Sequence, residues 1–489
     1  METARKPTPK ERMQIPRQEM PEQNAQVRAR NFDEVPLGFS KEVAMREAMR
    51  CLECAKPKCI EGCPVNIDIP AFVSLIAEGK FVEAAQKIKE TNVLPAICGR
   101  VCPQDDQCEK LCIIGKKGRP VSVGRLERFA ADWERSLGDI AVPDVAPDTG
   151  CKVAVVGSGP AGLTAAYELR KRGHDVTVFE ALHSPGGVLF YGIPRFRLPG
   201  GVIEAEISTL ERMGVKIVVN SIVGQLVTVD ELLEEEGFDG VFLGTGAGVP
   251  WFMNLPGENL CGIYSANEWL TRVNLMRADR FPDCATPIHC GRRVAVIGGG
   301  NTAMDAARTS LRLGPEKVYV FYRRTRNEAP ARTEEIEHAI QEGVDFHWLT
   351  NPLRFLGNEE HFVTQVEIQQ MELGEPDDSG RRRPVPVAGS EKLYEVDTVI
   401  LALGFGVNPL ITRATPDIET NKRGVVQVDP ETGMTTKIGV FAAGDVITGG
   451  ATVILAMGQA KTAALGLHNW LIERKGLSLP KEERVEATA

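Results

Sequence analysis

The 489 residues suggest about three domains, and 43% hydrophobic with 25% charged residues is the mixture of a soluble globular chain. The 57 basic and 66 acidic residues leave a net charge of −9, which argues against a general nucleic-acid binder. No apolar window reaches the length of a membrane helix, and METARKPTPKERMQ has no apolar core of a secretory signal, so a cytoplasmic location without a membrane partner is expected.

Residues 1–40, rich in Pro, Arg, Glu and Gln, are expected to form an extended arm. Wrapping a partner is the alternative, since segments of low hydrophobicity often order on binding. Residues 41–140 follow as a helical domain. Eight of the twelve cysteines lie here, in two sets: Cys51, Cys54, Cys59 and Cys63-Pro64, then Cys98, Cys102-Pro103, Cys108 and Cys112. Disulfides do not suit a chain with no secretory mark. Four thiolates suit zinc, which remains an alternative. The first set nearly repeats the ferredoxin run C-x2-C-x2-C-x3-C-P, one residue longer in its middle gap, so two [4Fe–4S] clusters are favoured. In that run the last cysteine serves the other cluster. Cys63 would therefore cross to the second cluster and Cys112 return to the first. Between the sets, residues 69–88 carry the apolar spacing of two amphipathic helices.

Residues 137–150 supply the breakers of a linker. Residues 152–180 then read strand, glycine turn, helix, strand: the apolar run 153–156, Gly157-x-Gly159-x-x-Gly162, a helix ended by Gly173, and 176–179 with Glu180 at the tip. Gly157 allows the tight turn, Gly159 lets a pyrophosphate approach, and Gly162 lets the helix pack on the strand. Pro160 and Ala161 open the helix whose N-terminus faces the phosphates. Glu180 can accept from a ribose diol, so FAD is expected here. A further apolar strand runs into the glycine turn at Gly246.

A second fingerprint opens at Arg293: strand, Gly298-x-Gly300-x-x-Ala303, then a helix beginning with Asn301 and Thr302. Alanine in the third place is allowed. The strand after it, 318–322, ends in Arg323-Arg324 rather than an acid. Two guanidiniums can grip a 2′-phosphate, so the expected nucleotide is NADP(H). Residues 381–383, three arginines in a polar stretch, read as a solvated hairpin, and 399–406 repeats the strand-then-glycine layout of 238–246.

The order of cysteine sets and two fingerprints resembles the small subunit of bacterial glutamate synthase and the N-terminal part of dihydropyrimidine dehydrogenase, over about residues 44–471. GRVCPQDDQCEKLC is similar to that family's second cysteine set. FYGIPRFRLP, GTGAGVP and YSANEWLTRVNLM most resemble the large subunit of NADH-dependent reduced ferredoxin:NADP oxidoreductase, an electron-bifurcating flavoprotein. The resemblance implies an α/β chain with two Rossmann-type domains behind a helical bis-[4Fe–4S] domain. It places FAD against Gly186, Gly187, Val188, Gly192 and Ile193, and against Gly444, Asp445 and Thr452. It makes the FAD domain discontinuous (150–283 and 396–489), with the NADP(H) domain inserted at 284–395. It also implies a non-cysteine fourth ligand in VGRLERFA. The first cluster is then Cys51, Cys54, Cys59 and Cys112, and the second Cys63, Cys102, Cys108 and Glu127. Spacing alone would choose Cys98 instead of Glu127, and both stay open.

No cysteine pair stands beside the expected flavin strings, so disulfide-reductase chemistry is not expected. Cys151, Cys261, Cys284 and Cys290 read as buried thiols. The chain reads as an electron conduit, with hydride transfer between NADP(H) and flavin and single electrons through the clusters. The resemblance implies a small FAD-containing partner subunit and ferredoxin. The alternative partner is the large subunit of glutamate synthase.

Overall fold

A computed structural model describes residues 7–138, 140–377 and 380–477. Residues 1–6 of the expected arm, Asp139 of the linker and 478–489 of the second FAD segment lie outside the described residues.

The described arm is not a plain extension. It holds the short helices Pro9–Gln14 and Ala25–Arg28 and is pinned across the molecule. Val35 N–H donates to Phe196 O at 2.9 Å, and Arg312 Nε donates to Asn31 O at 2.8 Å. Arg28 is buried against Glu342 at 3.1 Å. Composition missed this because charged pairs and a few apolar anchors such as Val35, rather than a hydrophobic stripe, hold the arm.

The cysteine-rich part is helical: Lys41–Ala48, Ile69–Ala77, Phe81–Lys89, Pro95–Val101 and Val123–Ser136 are its main helices. Ser40 and Asp68 cap two of them, accepting from Val43 N and Ala71 N, which satisfies donors that a helix start leaves open. The expected helix pair is present at 69–77 and 81–89, and buries Phe72, Ile76 and Ile88 completely. Pro95–Val101 and Val123–Ser136 touch at Gly99, where a Cβ would stand 2.5 Å from Arg128 N.

The strands in chain order are β1 Lys152–Val156, β2 Asp175–Phe179, β3 Lys216–Val218, β4 Gly240–Leu243, β5 Ala247–Pro250, β6 Ile263–Ser265, β7 Arg293–Ile297, β8 Lys317–Tyr322, β9 Asp345–Trp348, β10 Thr350–Gly357, β11 Val363–Pro376, β12 Arg382–Pro386, β13 Lys392–Glu395, β14 Thr398–Leu401, β15 Phe405–Val407 and β16 Val440–Ala442. Two five-stranded parallel sheets result, β16-β4-β1-β2-β3 and β6-β14-β7-β8-β9. Their central strands are apolar throughout because helices cover both faces; Val153 to Val155 and Val294 to Val296 are fully buried. β10 to β13 add an antiparallel sheet, and β5 pairs with β15.

The second sheet takes in β6 and β14, which fall outside the expected 284–395 and lie in the two segments expected to belong to FAD. A short apolar run marks a buried strand, but its pairing is set by contacts distant in sequence. The helical part and the first sheet share one continuous core, from Phe39 through Phe129 to Leu471.

Candidate functional site

The structure brings the crossed cysteine groups together. Burial first, then the neighbouring Cys51, Cys112 and Cys54, push the Cys59 thiol up to about 12. Cys51 is pushed to about 11 by burial, with Cys112 and Cys54 again beside it. In the second group burial raises Cys63 to about 11, with Glu127 and Cys102 adjacent. Cys108 sits well above its ordinary value, from burial and then Glu109, Glu127, Cys63 and Cys102. Glu127, expected at a ligand position, is buried at 4% exposure. Burial pushes its carboxyl to about 8 against the opposing Asn92 hydrogen bond. Such donor sets hold their protons until a cation replaces them, as at any thiolate metal site. The described cysteines form no disulfide.

Cys98 stands in the same place. Its hydrogen bond, ahead of burial, pushes the Cys102 thiol up, and its Sγ lies 3.6 Å from Met457 Sδ. Of the four cysteines expected as buried thiols, Cys151 is buried, Cys284 and Cys290 are half-buried, and Cys261 is exposed. Cys261 lies on a bridge with Phe362 rather than in a core.

The first glycine turn has the shape its sequence predicts. Gly157 has φ 95° and Gly162 admits no Cβ, which would fall 1.9 Å from Gly157 O. Gly159 and Gly246 face open space. A dinucleotide therefore fits where the backbone is bare. Gly187 closes on Gly159, a Cβ there standing 2.8 Å from Gly159 Cα, and Gly186 N–H donates to Ser158 Oγ at 2.9 Å. Gly444 abuts Ala161, so Asp445 is delivered to the start of the helix Pro160–Lys171. Burial raises Asp445 to about 6, opposed by the Ala451 N–H, leaving a carboxyl suited to a hydroxyl donor. Tyr191, pushed to about 12 by burial and then by Glu180 and Asp445, lies within their field. Val188, Gly192 and Ile193 lie on or beside the helix Val188–Tyr191, with Val188 exposed. Thr452 caps the long helix Val453–Arg474, accepting from Leu455 N.

Glu180 is not a free acceptor. Ser158 N–H and Oγ–H donate to its Oε2 and Leu182 N–H to its Oε1 at 2.8 Å. Most of its four acceptor positions are used in holding the turn.

In the second turn Gly298 has φ 147°, and a Cβ on Gly299 would strike the Tyr322 ring at 2.5 Å. Gly300 meets only Pro330 at 3.9 Å, and Ala303 is fully buried. Asn301 Oδ1 accepts from Arg332 N at 2.9 Å, folding the loop 329–332 over the turn beside Thr302. The arginine pair is split. Arg323 is exposed along its length, yet partial burial of its guanidinium, then the nearby Arg324 and Arg381, hold its pKa below the ordinary value. Arg324 is buried, donating to Arg382 O at 2.8 Å and pairing with Asp377 at 2.5 Å. With one side chain exposed and the other buried on an ion pair, a two-guanidinium clamp does not form from this pair. Arg381, read as part of a solvated hairpin, is the second cation near Arg323. Its approach depends on β11 and β12, which a local motif does not encode.

Two parallel sheets that each carry a nucleotide-type glycine turn, beside two groups of clustered cysteines, define the class of iron–sulfur flavoproteins that exchange electrons with NADP(H). Residues 28–138 match the family described as dihydropyrimidine dehydrogenase domain II, 4Fe-4S cluster, and residues 151–460 the pyridine nucleotide-disulphide oxidoreductase family. The chain is 36% identical over 463 residues to the glutamate synthase [NADPH] small chain of Escherichia coli, covering 94% of this chain and 98% of that one. It is 39% identical over 448 residues to NADP(+)-dependent formate dehydrogenase subunit beta of Moorella thermoacetica, covering 87% of this chain but spanning 61% of that relative. Mycobacterium tuberculosis FprA, solved in complex with NADPH, superposes with TM-score 0.56 at 21% identity, over 70% of this chain and 89% of FprA, a likeness of fold. The chain belongs to the glutamate synthase small-chain-like family of FAD- and NADP(H)-dependent iron–sulfur oxidoreductases. Its cofactors are FAD, NADP(H) and [4Fe–4S] clusters.

Proposed function

We propose that this chain is the NADP(H)-linked large subunit of an electron-bifurcating NADH-dependent ferredoxin:NADP oxidoreductase, working with a small FAD-containing subunit and ferredoxin. Bound flavin supplies the conversion between hydride and single electrons. The chain's residues order the route. Gly157 to Gly162, Gly186 to Ile193, Gly246, Asp445 and Thr452 hold FAD. Gly298 to Ala303 and Arg323 hold NADP(H).

The observation that carries this reading is the helix Val453–Arg474. Its first turn belongs to the flavin end, and its next turn packs on the cysteine domain: a Cβ on Gly458 would stand 2.6 Å from Pro64 O, next to Cys63. Met457 touches Cys98. The second cluster group thus adjoins the flavin end. The first group is the more open one: Cys51, Cys54, Cys59 and Cys112 are all half-buried. Leu111 and Ile113, 42% and 52% exposed, flank Cys112 as an apolar contact for an electron partner.

The local strings FYGIPRFRLP and YSANEWLTRVNLM favour bifurcation. A second reading, the glutamate synthase small subunit with its amidotransferase large subunit, is favoured by small chains that match over nearly their whole length. Anaerobic purification from native cells, followed by assay of the complex, separates them. NADPH oxidation coupled to simultaneous reduction of ferredoxin and NAD+ supports the first. Glutamine- and 2-oxoglutarate-dependent NADPH oxidation replaces it with the second.

A further inference from the structure

Two side chains compete for the fourth position of the second cluster group, and one buried amide touches both. Asn92 is fully buried. It follows the helix Phe81–Lys89, to which its own N–H is tied through Ile88 O at 2.9 Å. Its Oδ1 accepts from Leu94 N at 3.0 Å, at the start of the helix Pro95–Val101. That bond settles the amide's orientation, because a backbone N–H only donates. The Nδ2 face is therefore turned to Glu127, and donates to Oε1 at 2.6 Å. The Cys98 Sγ lies 3.7 Å from the same Oδ1, within the range of a thiol donor. The close contact of the two helices at Gly99 places Cys98 and Glu127 side by side, so a single residue between them can sort them.

We propose that Asn92 is the positioning residue that assigns the ligand roles of the second cluster. It holds one carboxylate oxygen of Glu127 so that the other meets iron, and it accepts the Cys98 S–H so that this sulfur stays a thiol off the iron. The proposal rests on Glu127 being the fourth ligand. Neither Asn92 nor Cys98 is then a ligand. Asn92 acts through Glu127, and Cys98 stays beside the Cys102 sulfur with its own S–H turned to the Asn92 oxygen. Outer contacts of this kind orient ligands and tune the metal.

The test uses the full-length holoprotein, read by iron analysis, by EPR of the reduced clusters and by redox titration. In Asn92→Leu the carboxylate loses its anchor and Cys98 loses its acceptor. The expected result is retention of both clusters, with the second cluster's EPR signal and midpoint potential displaced as Cys98 takes the iron. Adding Cys98→Ala to Asn92→Leu removes that substitute ligand, and iron falls from about eight atoms per chain to about four. Cys98→Ala alone keeps both clusters. Asn92→Asp keeps the acceptor for Leu94 N–H while setting a like charge against Glu127, so the same spectral displacement is expected even if Asn92→Leu folds poorly. An unchanged spectrum and potential in Asn92→Asp, with a displaced spectrum in Glu127→Ala, overturns the role of Asn92 while leaving Glu127 a ligand. An unchanged spectrum in Glu127→Ala, with loss of the second cluster in Cys98→Ala, overturns the ligand assignment itself.

Discussion

Arg323 and Arg324 share one dipeptide but not one task. Arg323 is exposed at the tip of β8, where a 2′-phosphate would arrive, and Arg324 is consumed by Asp377 and the Arg382 carbonyl. Arg323→Ala should raise the KM for NADPH about tenfold, equivalent to about 1.4 kcal/mol, while the KM for NADH hardly moves. Arg324→Ala removes a buried guanidinium with its ion pair to the half-buried Asp377 and its bond to the Arg382 carbonyl, and should appear in thermal unfolding as a loss of about 2 kcal/mol, with a smaller change in KM. Equal effects of both variants on KM would restore the two-arginine clamp. Gly162 is less forgiving, because any Cβ lands on the Gly157 carbonyl. Gly162→Ala should cost about 3 kcal/mol, and the purified protein should carry substoichiometric flavin by absorbance.

At the scale of elements, the helix Val453–Arg474 is the bridge between chemistries. Gly458 lets it lie on Pro64, and Met457 reaches Cys98. Gly458→Val pushes the helix off the cysteine domain. NADPH should then still bleach the flavin, while cluster reduction followed anaerobically lags behind it; unchanged cluster reduction would show that this contact is dispensable. The helices and fingerprint strands were legible because their periods are local: alternate glycines between an apolar run and an amphipathic run admit few other structures. β14 was legible as a strand but not by sheet, since nothing in TVIL tells Val294 from Val241 as a neighbour.

Across the whole molecule, charge rather than apolar area ties the arm to the second nucleotide domain. Arg28, Arg308 and Arg312 converge on Glu342. Burial alone would raise that carboxyl, but Arg308 and Arg312 overcome it and hold the group at about 2, against an ordinary 4.5. A carboxyl whose folded value is lowered contributes stability above its unfolded value and loses it as pH falls through the folded one. The junction should therefore hold from neutral pH to about 4.5 and loosen between there and about 2, seen as faster hydrogen exchange in residues 20–36. Exchange there that does not change with acid would dismiss the network as the anchor.

The sequence by itself determined the two glycine turns and the helical cysteine domain with its two cysteine sets, because each rests on spacing that only a few backbone paths satisfy. The tertiary structure decided what neighbours do to those residues. It turned Arg324 inward and brought Arg381 toward Arg323. It pinned Glu180 on Ser158, and it placed Asn92 between Glu127 and Cys98. These depend on packing between segments up to hundreds of residues apart, where burial and a single hydrogen bond decide which of two equally reactive side chains faces the ligand.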